Sequence, residues 1–216
     1  KRGGLVKISN SFVRGQVDFS KVSGAPLLYW WEPDFLARYI SAPKLGDVAP
    51  VRIGLATSDN DRFLRRPWEV ARVALDGWTE QAHWVPYIKG GGATEWVEPL
   101  SWALNWFSRG LENKVRSEEI NGSYTRSVRS EALYFKRGVA FSSTGATLRA
   151  RVHKYPSVFD VKGQSVFHET PGLVVGLMNS SEGRFVLESL NPTVSFQAGD
   201  GARLPVWPAA YEIGRA

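Results

Sequence analysis

The chain has 216 residues, no cysteine, and 27 lysines and arginines against 21 aspartates and glutamates, a formal net charge of +6. That length accommodates one large domain or two small ones with a real core. The missing cysteine excludes disulfides and thiolate metal sites and fits a cytoplasmic location, while the basic excess favours a polyanionic partner such as nucleic acid. No apolar run spans a bilayer and no signal peptide stands at the front, so no membrane partner is expected. The first residues are Lys1-Arg2-Gly3-Gly4 and the sole methionine is Met178, as expected of a piece of a longer protein.

Lys1 to Lys21 alternates weakly and predicts one or two short strands. Ala25 to Trp31, apolar throughout and bounded by Gly24 and Pro33, reads as a buried strand. Asp34 to Ser41 carries Phe35, Leu36, Tyr39 and Ile40 at helical spacing, with Pro33 near its start. Gly54 to Val70, GLATSDNDRFLRRPWEV, follows a strand signal at Val48, Val51 and Ile53. Its Thr57-Ser58-Asp59-Asn60-Asp61 run favours a turn, so the stretch reads as an exposed loop between two buried ends. Loops held by a rigid scaffold are where binding groups usually sit.

Glu69 to Leu75 fits a strand or a short helix equally. Trp84 to Ile88 reads as an edge strand because it contains Pro86, and Lys89-Gly90-Gly91-Gly92 follows it. Ser101 to Trp106 alternates, and the basic, apolar-poor segment from Ser108 to Ser130 is expected to be mobile. Tyr134 to Ser142, Thr147 to Val152, Val158 to Val161 and Gln164 to Phe167 read as successive strands with glycine turns between them. Pro171 to Asn179 and Glu182 to Leu190 read as two helices split at Asn179-Ser180-Ser181. Short strands around Val194 to Gln197 and Arg203 to Val206 close the chain.

The three histidines, His83, His153 and His168, show no metal-ligand spacing. No nucleophile elbow and no Walker-type phosphate loop occurs. The basic residues carry more information. Arg149 and Arg151 sit two apart on a predicted strand, which puts both on one face. Lys136 and Arg137 flank a glycine turn ahead of Ser142 and Ser143. Lys162-Gly163-Gln164-Ser165 supplies a cation, a close-approach glycine and two hydrogen-bonding side chains. The backbone of Gly90 and Gly91 can approach a phosphate. Arginine reads guanine and glutamine reads adenine, while lysine and serine mostly hold phosphates.

Several stretches occur in one order: GLATSDNDRFLRRPWEV, WVPYIKGGGATEW (Trp84 to Trp96), ALNW (Ala103 to Trp106), YFKRGVAFSS (Tyr134 to Ser143), FDVKGQSVF (Phe159 to Phe167) and LNPTVSFQAGDGARLPV (Leu190 to Val206). From Leu45 to Val206 this order resembles the C-terminal region of large adenine-specific DNA methyltransferases of BREX and DISARM phage-defence systems and of fused type II restriction-methylation enzymes. It departs from that pattern at Pro67, before Trp68. The family's S-adenosylmethionine-binding and Asn-Pro-Pro-aromatic motifs are absent; Asn191-Pro192-Thr193-Val194 lacks the second proline and the aromatic.

The resemblance implies a target-recognition domain over residues 45–216, with residues 1–44 connecting to a missing catalytic domain. The implied fold is mixed α/β, of the α+β kind: a curved, mainly antiparallel sheet with a few packed helices. Its partners would be double-stranded DNA, the methyltransferase domain of the same polypeptide and other defence-system subunits. This segment would need no cofactor and perform no catalysis itself; the parent would use S-adenosylmethionine. Arg62, Lys89, Lys136, Arg137 and Lys162 would then neutralise phosphates, and Asp59, Asn60, Arg149, Arg151 and Gln164 would face base edges. Thr57, Gly90, Gly91, Ser142, Ser143 and Ser165 complete the expected DNA-binding set. The alternative is a protein-interaction domain of a defence complex, using exposed aromatics and making no DNA contact.

Overall fold

The computed structural model describes residue 15 and residues 19–91, 94–142, 144–145, 147–193 and 195–207. The chain divides into two compact units, residues 1–42 and 43–216. The first carries helix α1 (Pro33–Ser41), with Pro33 and Asp34 in its first turn and Arg38 in its last. Proline fits the first turn because its missing N–H would be unpaired there anyway, and the two charges suit the helix dipole. Phe35 and Tyr39, one helical turn apart, pack edge-on against Trp31 at 4.9 and 5.0 Å. Ala25 to Trp31 is not the expected buried strand. Gly24 and Ala25 take positive φ, the chain continues in turns, and Leu27 is 67% exposed while Leu28 and Trp31 are buried. Most of the strands expected before Lys21 lie outside the described residues.

The second unit is α+β with two mixed sheets. In chain order its elements are α2 (Leu45–Val48), β1 (Val51–Arg52), α3 (Asn60–Phe63), β2 (Leu64–Arg65), β3 (Trp84–Ile88), β4 (Trp96–Val97), β5 (Trp102–Asn105), α4 (Phe107–Asn121), β6 (Val139–Ser142), β7 (Ala150–Val152), β8 (Val158–Phe159), β9 (Gly163–Val166), α5 (Pro171–Asn179), α6 (Ser181–Leu190) and α7 (Ala198–Ala202). The five-stranded sheet runs β1-β9-β6-β7-β4 and the four-stranded sheet β2-β5-β3-β8. Pairing is antiparallel except at β4–β7 and β3–β8. Between β8 and β9 the chain passes from one sheet to the other. Trp106, Tyr134, Phe159 and Phe167 form a run of ring contacts through the core at 5.5, 5.5 and 5.2 Å.

Three local expectations change. Strand β3 is interior, between β5 and β8. Proline is tolerated there because the Trp84 carbonyl accepts from Ala74 N, so Trp84 and, by alternation, Pro86 turn their backbone groups away from β5. The β8 ladder begins only at Tyr87. Ser108 to Ser130 is not a mobile segment but holds helix α4, entered through a left-handed turn at Ser108, Arg109 and Gly110. Its apolar residues Phe107, Leu111 and Val115 recur every four positions without apolar i+3 neighbours, too thin a stripe to announce a helix, and they face solvent. At the C-terminal end, α7 lies between the two expected strands, whose described residues join neither sheet. Thr144–Ser195 and Lys44–Pro205 survive only as isolated bridges.

The expected helices near the C-terminal end are found with their split. Thr170 precedes Pro171 at the start of α5, and Ser180 caps α6 by accepting from Gly183 N at 2.9 Å. Helix α5 packs across β6 and β7. Among the described residues no helix is long and apolar enough to cross a membrane.

Candidate nucleic-acid interface

Where β3 ends, Lys89-Gly90-Gly91 runs against the turn that opens β9. A Cβ on Gly90 would lie 2.1 Å from the Lys162 carbonyl oxygen, so only glycine allows this approach. Gly163 pairs with Ser142 at the end of β6. The Ser142 hydroxyl accepts from Gly91 N at 3.2 Å and from Arg151 Nη1 at 3.3 Å. Six expected site residues, Lys89, Gly90, Gly91, Ser142, Arg151 and Lys162, therefore meet at one end of the two sheets.

Two further residues join them through strand register. Leu64 and Arg65 of β2 pair with Leu104 and Ala103 of β5, and one more step places Arg66 beside Trp102 as a cross-strand neighbour. The Arg66 guanidinium lies 3.7 Å from the centroid of the Trp102 ring, and Lys89 Nζ lies 5.3 Å from it. Arg66, Lys89, Gly90, Gly91, Trp102 and Arg151 line a cleft of 330 Å³. Lys89 forms no ion pair within 4.0 Å among the described residues and is half-buried.

Arg151 is only 1% exposed. Its Nε pairs with Glu98, its Nη1 reaches Ser142, and its Nη2 has no hydrogen-bond partner among the described residues. Burial pushes the Glu98 carboxyl above the usual range, an effect Arg151 partly offsets. Burial likewise raises Asp160, against the pull of the Lys162 backbone N–H, bonded at 2.8 Å, and the charge of Lys89.

The remaining expected residues are placed differently. Arg151, Gln164 and Ser165 were expected at the surface and are buried. Gln164 Nε2 donates to the Phe196 carbonyl at 3.0 Å, and the Ser165 hydroxyl contacts His153 Nε2 at 3.1 Å. Inward-facing strand positions cannot present base-reading groups without leaving these partners. Arg149 is half-buried, with Nε 3.5 Å from Glu95, which also pairs with Arg184 at 2.9 Å.

The Gly54 to Val70 stretch keeps an exposed middle between buried residues, but that middle is the short helix α3 rather than an irregular loop. Leu55, Thr57, Phe63 and Leu64 are buried. Asp59 caps α3 by accepting from Arg62 N at 3.1 Å, and Thr57 donates to Asn60 Oδ1 at 2.6 Å. Arg62 pairs with Glu112 of α4 at 2.7 Å and lines a separate cavity of 440 Å³ with His83, Asn105 and Phe107. Lys136 and Arg137 are exposed at the start of β6, about 10 Å or more along the strand from Ser142. Ser143 and Gly92 lie outside the described residues.

Sequence reasoning missed Trp102 and Glu98 and left Arg66 out of the site. The alternation of β5 showed that Trp102 belongs to a strand, but its partner across the sheet depends on register. Glu98 meets a residue 53 positions away, for which no local pattern exists. Asn191 is spent on its own turn: its Oδ1 accepts from Thr193 N at 3.0 Å and its Nδ2 donates to Asp200 at 2.7 Å.

No protein-family model matches the chain. Among curated proteins, the adenine-specific methyltransferase PglX of Lacticaseibacillus casei (strain Zhang) is 26% identical over 212 residues, covering 88% of this chain and 17% of that protein. The adenine-specific methyltransferase BrxX of Escherichia coli O9:H4 (strain HS) is 29% identical over 217 aligned residues, covering 95% of this chain and 17% of that protein. The chain is related to a segment of adenine-specific methyltransferases. It spans 17% of the length of these relatives.

Proposed function

We propose that this chain is the DNA-binding, target-recognition segment of an S-adenosylmethionine-dependent adenine-N6 DNA methyltransferase of a restriction-modification or phage-defence system. It positions duplex DNA for a catalytic domain carried elsewhere on the parent polypeptide, which holds the cofactor and acts in the cytoplasm. The observation that carries this reading is the convergence of Lys89 and Arg66 on one glycine-lined cleft, with the Lys162 turn packed against Gly90 beside it, in a chain related to adenine-specific methyltransferases. Cations placed on a close-packed backbone suit phosphate contacts, which set register and orientation on a duplex. The base-reading role expected of Arg151 and Gln164 falls away with their burial. Exposed side chains near the cleft, such as Trp68 at 77% exposure, are better placed to meet the grooves.

Fluorescence anisotropy of the 216-residue chain with a labelled duplex tests the reading. Affinity should fall steeply between about 50 and 200 mM salt, because phosphate contacts release counterions. Salt-independent affinity, or no binding at low salt, overturns it. The exposed stripe of Phe107, Leu111 and Val115 on α4 favours the second reading, a docking surface for another protein. In that case Leu111→Lys abolishes partner capture, and the chain shows no salt-dependent duplex binding.

A further inference from the structure

We infer that the Trp102 cleft is a phosphate-binding subsite in which Arg66 and Lys89 grip one and the same phosphate group. Arg66 is pre-set for this. Its guanidinium carbon lies over the indole, 3.7 Å from the ring centre, and its Nη1 donates to the Ser101 carbonyl at 3.2 Å. Nε and Nη2 make no hydrogen bond among the described residues. A guanidinium fixed by stacking presents its remaining N–H groups in a rigid fork suited to phosphate.

Lys89 shares the same ring. The distances of the two cations from its centroid leave at most about 9 Å between them. A phosphate accepting charge-assisted bonds of about 2.8 Å on two of its oxygens bridges most of that range. Neither cation has a carboxylate partner in the cleft, because the lining acid Glu98 is taken by Arg151. Three cations against one carboxylate leave an excess of two positive charges facing a recess, where like charges repel unless an anion enters. The Arg151 Nη2 without a partner adds a buried donor to the same lining.

The cleft volume of 330 Å³ sits at the small end of ligand pockets, roughly 300–1,000 Å³. It takes a phosphodiester with part of its sugar and is far larger than one water. The chemistry is that of any phosphate group. Assigning it to a nucleic-acid backbone rests on the DNA reading above.

The test uses the 216-residue chain, a random-sequence duplex, inorganic phosphate, and the variants Arg66→Gln, Lys89→Gln and their double. If both side chains hold one phosphate, each single variant weakens duplex binding several-fold and lowers the slope of log affinity against log salt by about 1. The double variant then loses little beyond the worse single, because residues serving one contact are non-additive. Inorganic phosphate should shift the Trp102 indole N–H resonance, assigned by its loss in Trp102→Phe, and Lys89→Gln should abolish that shift.

Salt-dependent duplex binding by the wild type, with both single variants unaffected, overturns the subsite and leaves the DNA reading standing. Strictly additive losses in the double variant also overturn it, since two phosphates are then held. If the wild type binds no duplex but phosphate shifts Trp102 in a Lys89-dependent way, the subsite stands with a free phosphate as its ligand and the DNA reading falls. Lys89 makes no hydrogen bond through its side chain among the described residues, so Lys89→Gln alone carries the phosphate test if Arg66→Gln loses its packing on Trp102.

Discussion

The side-chain amide of Asn179 continues a β-ladder against the backbone of Ala150. Its Oδ1 accepts from Ala150 N at 2.9 Å and its Nδ2 donates to the Ala150 carbonyl at 2.9 Å. The Val152 carbonyl accepts from Glu98 N, so Val152 and, two residues back, Ala150 face the β4 side of β7. Strand β4 pairs only from Arg151 onward. Asn179, at the end of α5, supplies the missing partner and ties the helix to the strand that carries Arg149 and Arg151.

Asn179→Ala should therefore leave two buried backbone groups unpaired and cost about 2–4 kcal/mol. Urea unfolding should show a lower midpoint at unchanged slope. Asn179→Asp, which keeps the acceptor but loses the donor and buries a carboxyl, should fare no better.

Arg151→Ala should destabilise the chain by about 3–5 kcal/mol, because it leaves Glu98 buried without its partner. Replacing Arg151 and Glu98 together by methionine should recover much of that loss, as a buried pair traded for apolar volume often does. Thermal unfolding of the two variants checks this. A mild loss for Arg151→Ala with no recovery in the double variant would show that the pair is not what holds β7 to the segment after β4.

Stability should fall on mild acidification because of His153. Its ring is buried between the Lys136 carbonyl, 3.3 Å from Nδ1, and the Ser165 hydroxyl, 3.1 Å from Nε2. A neutral ring satisfies both by donating from Nδ1 and accepting at Nε2. Burial, aided by the charge of Arg151 and opposed by the Lys136 carbonyl, pushes its pKa down to about 4 from 6.5. The unfolded chain then binds the proton more readily, so this contribution is complete above about pH 6.5 and is lost as pH falls towards 4. It amounts to at most about 3 kcal/mol. Glu98 and Asp160, whose carboxyls are raised, act in the opposite direction, so the comparison is with His153→Gln. The loss of unfolding free energy from pH 7.5 to 4.5 should be smaller in that variant than in the wild type, or turn into a gain.

Two glycines should respond to alanine with opposite signs. Gly90→Ala drives a methyl into the Lys162 carbonyl and should cost about 1–3 kcal/mol through forced backbone shifts, with weaker duplex binding because Lys89 moves. Gly176, inside α5, has open space where a methyl would sit, with no neighbouring atom within 4 Å. Gly176→Ala should raise stability by about 0.5–1 kcal/mol, the helix-propensity difference. Melting temperatures of the two variants read both effects.

The amino-acid sequence by itself determined the elements whose signals lie within a turn or two of chain. Pro33 and Asp34 mark the start of α1. Pro171 opens α5, and Asn179-Ser180-Ser181 separates it from α6, because capping side chains and proline act on backbone groups a few residues away. The glycines after β3 and the basic excess were equally legible. Tertiary structure decided everything that depends on which strands meet. Arg149 and Arg151 alternate as the spacing requires, yet whether their face meets solvent or the glutamates around β4 follows from sheet order, which no local pattern encodes. Arg66 meets Trp102 only because β2 pairs with β5 in one register, and a shift of one residue would send each side chain to the opposite face. Helix α4 was hidden because Phe107, Leu111 and Val115 recur every four positions with Gly110, Lys114 and Glu118 at the i+3 positions, a stripe too thin to give the amphipathic signature by which a helix is read.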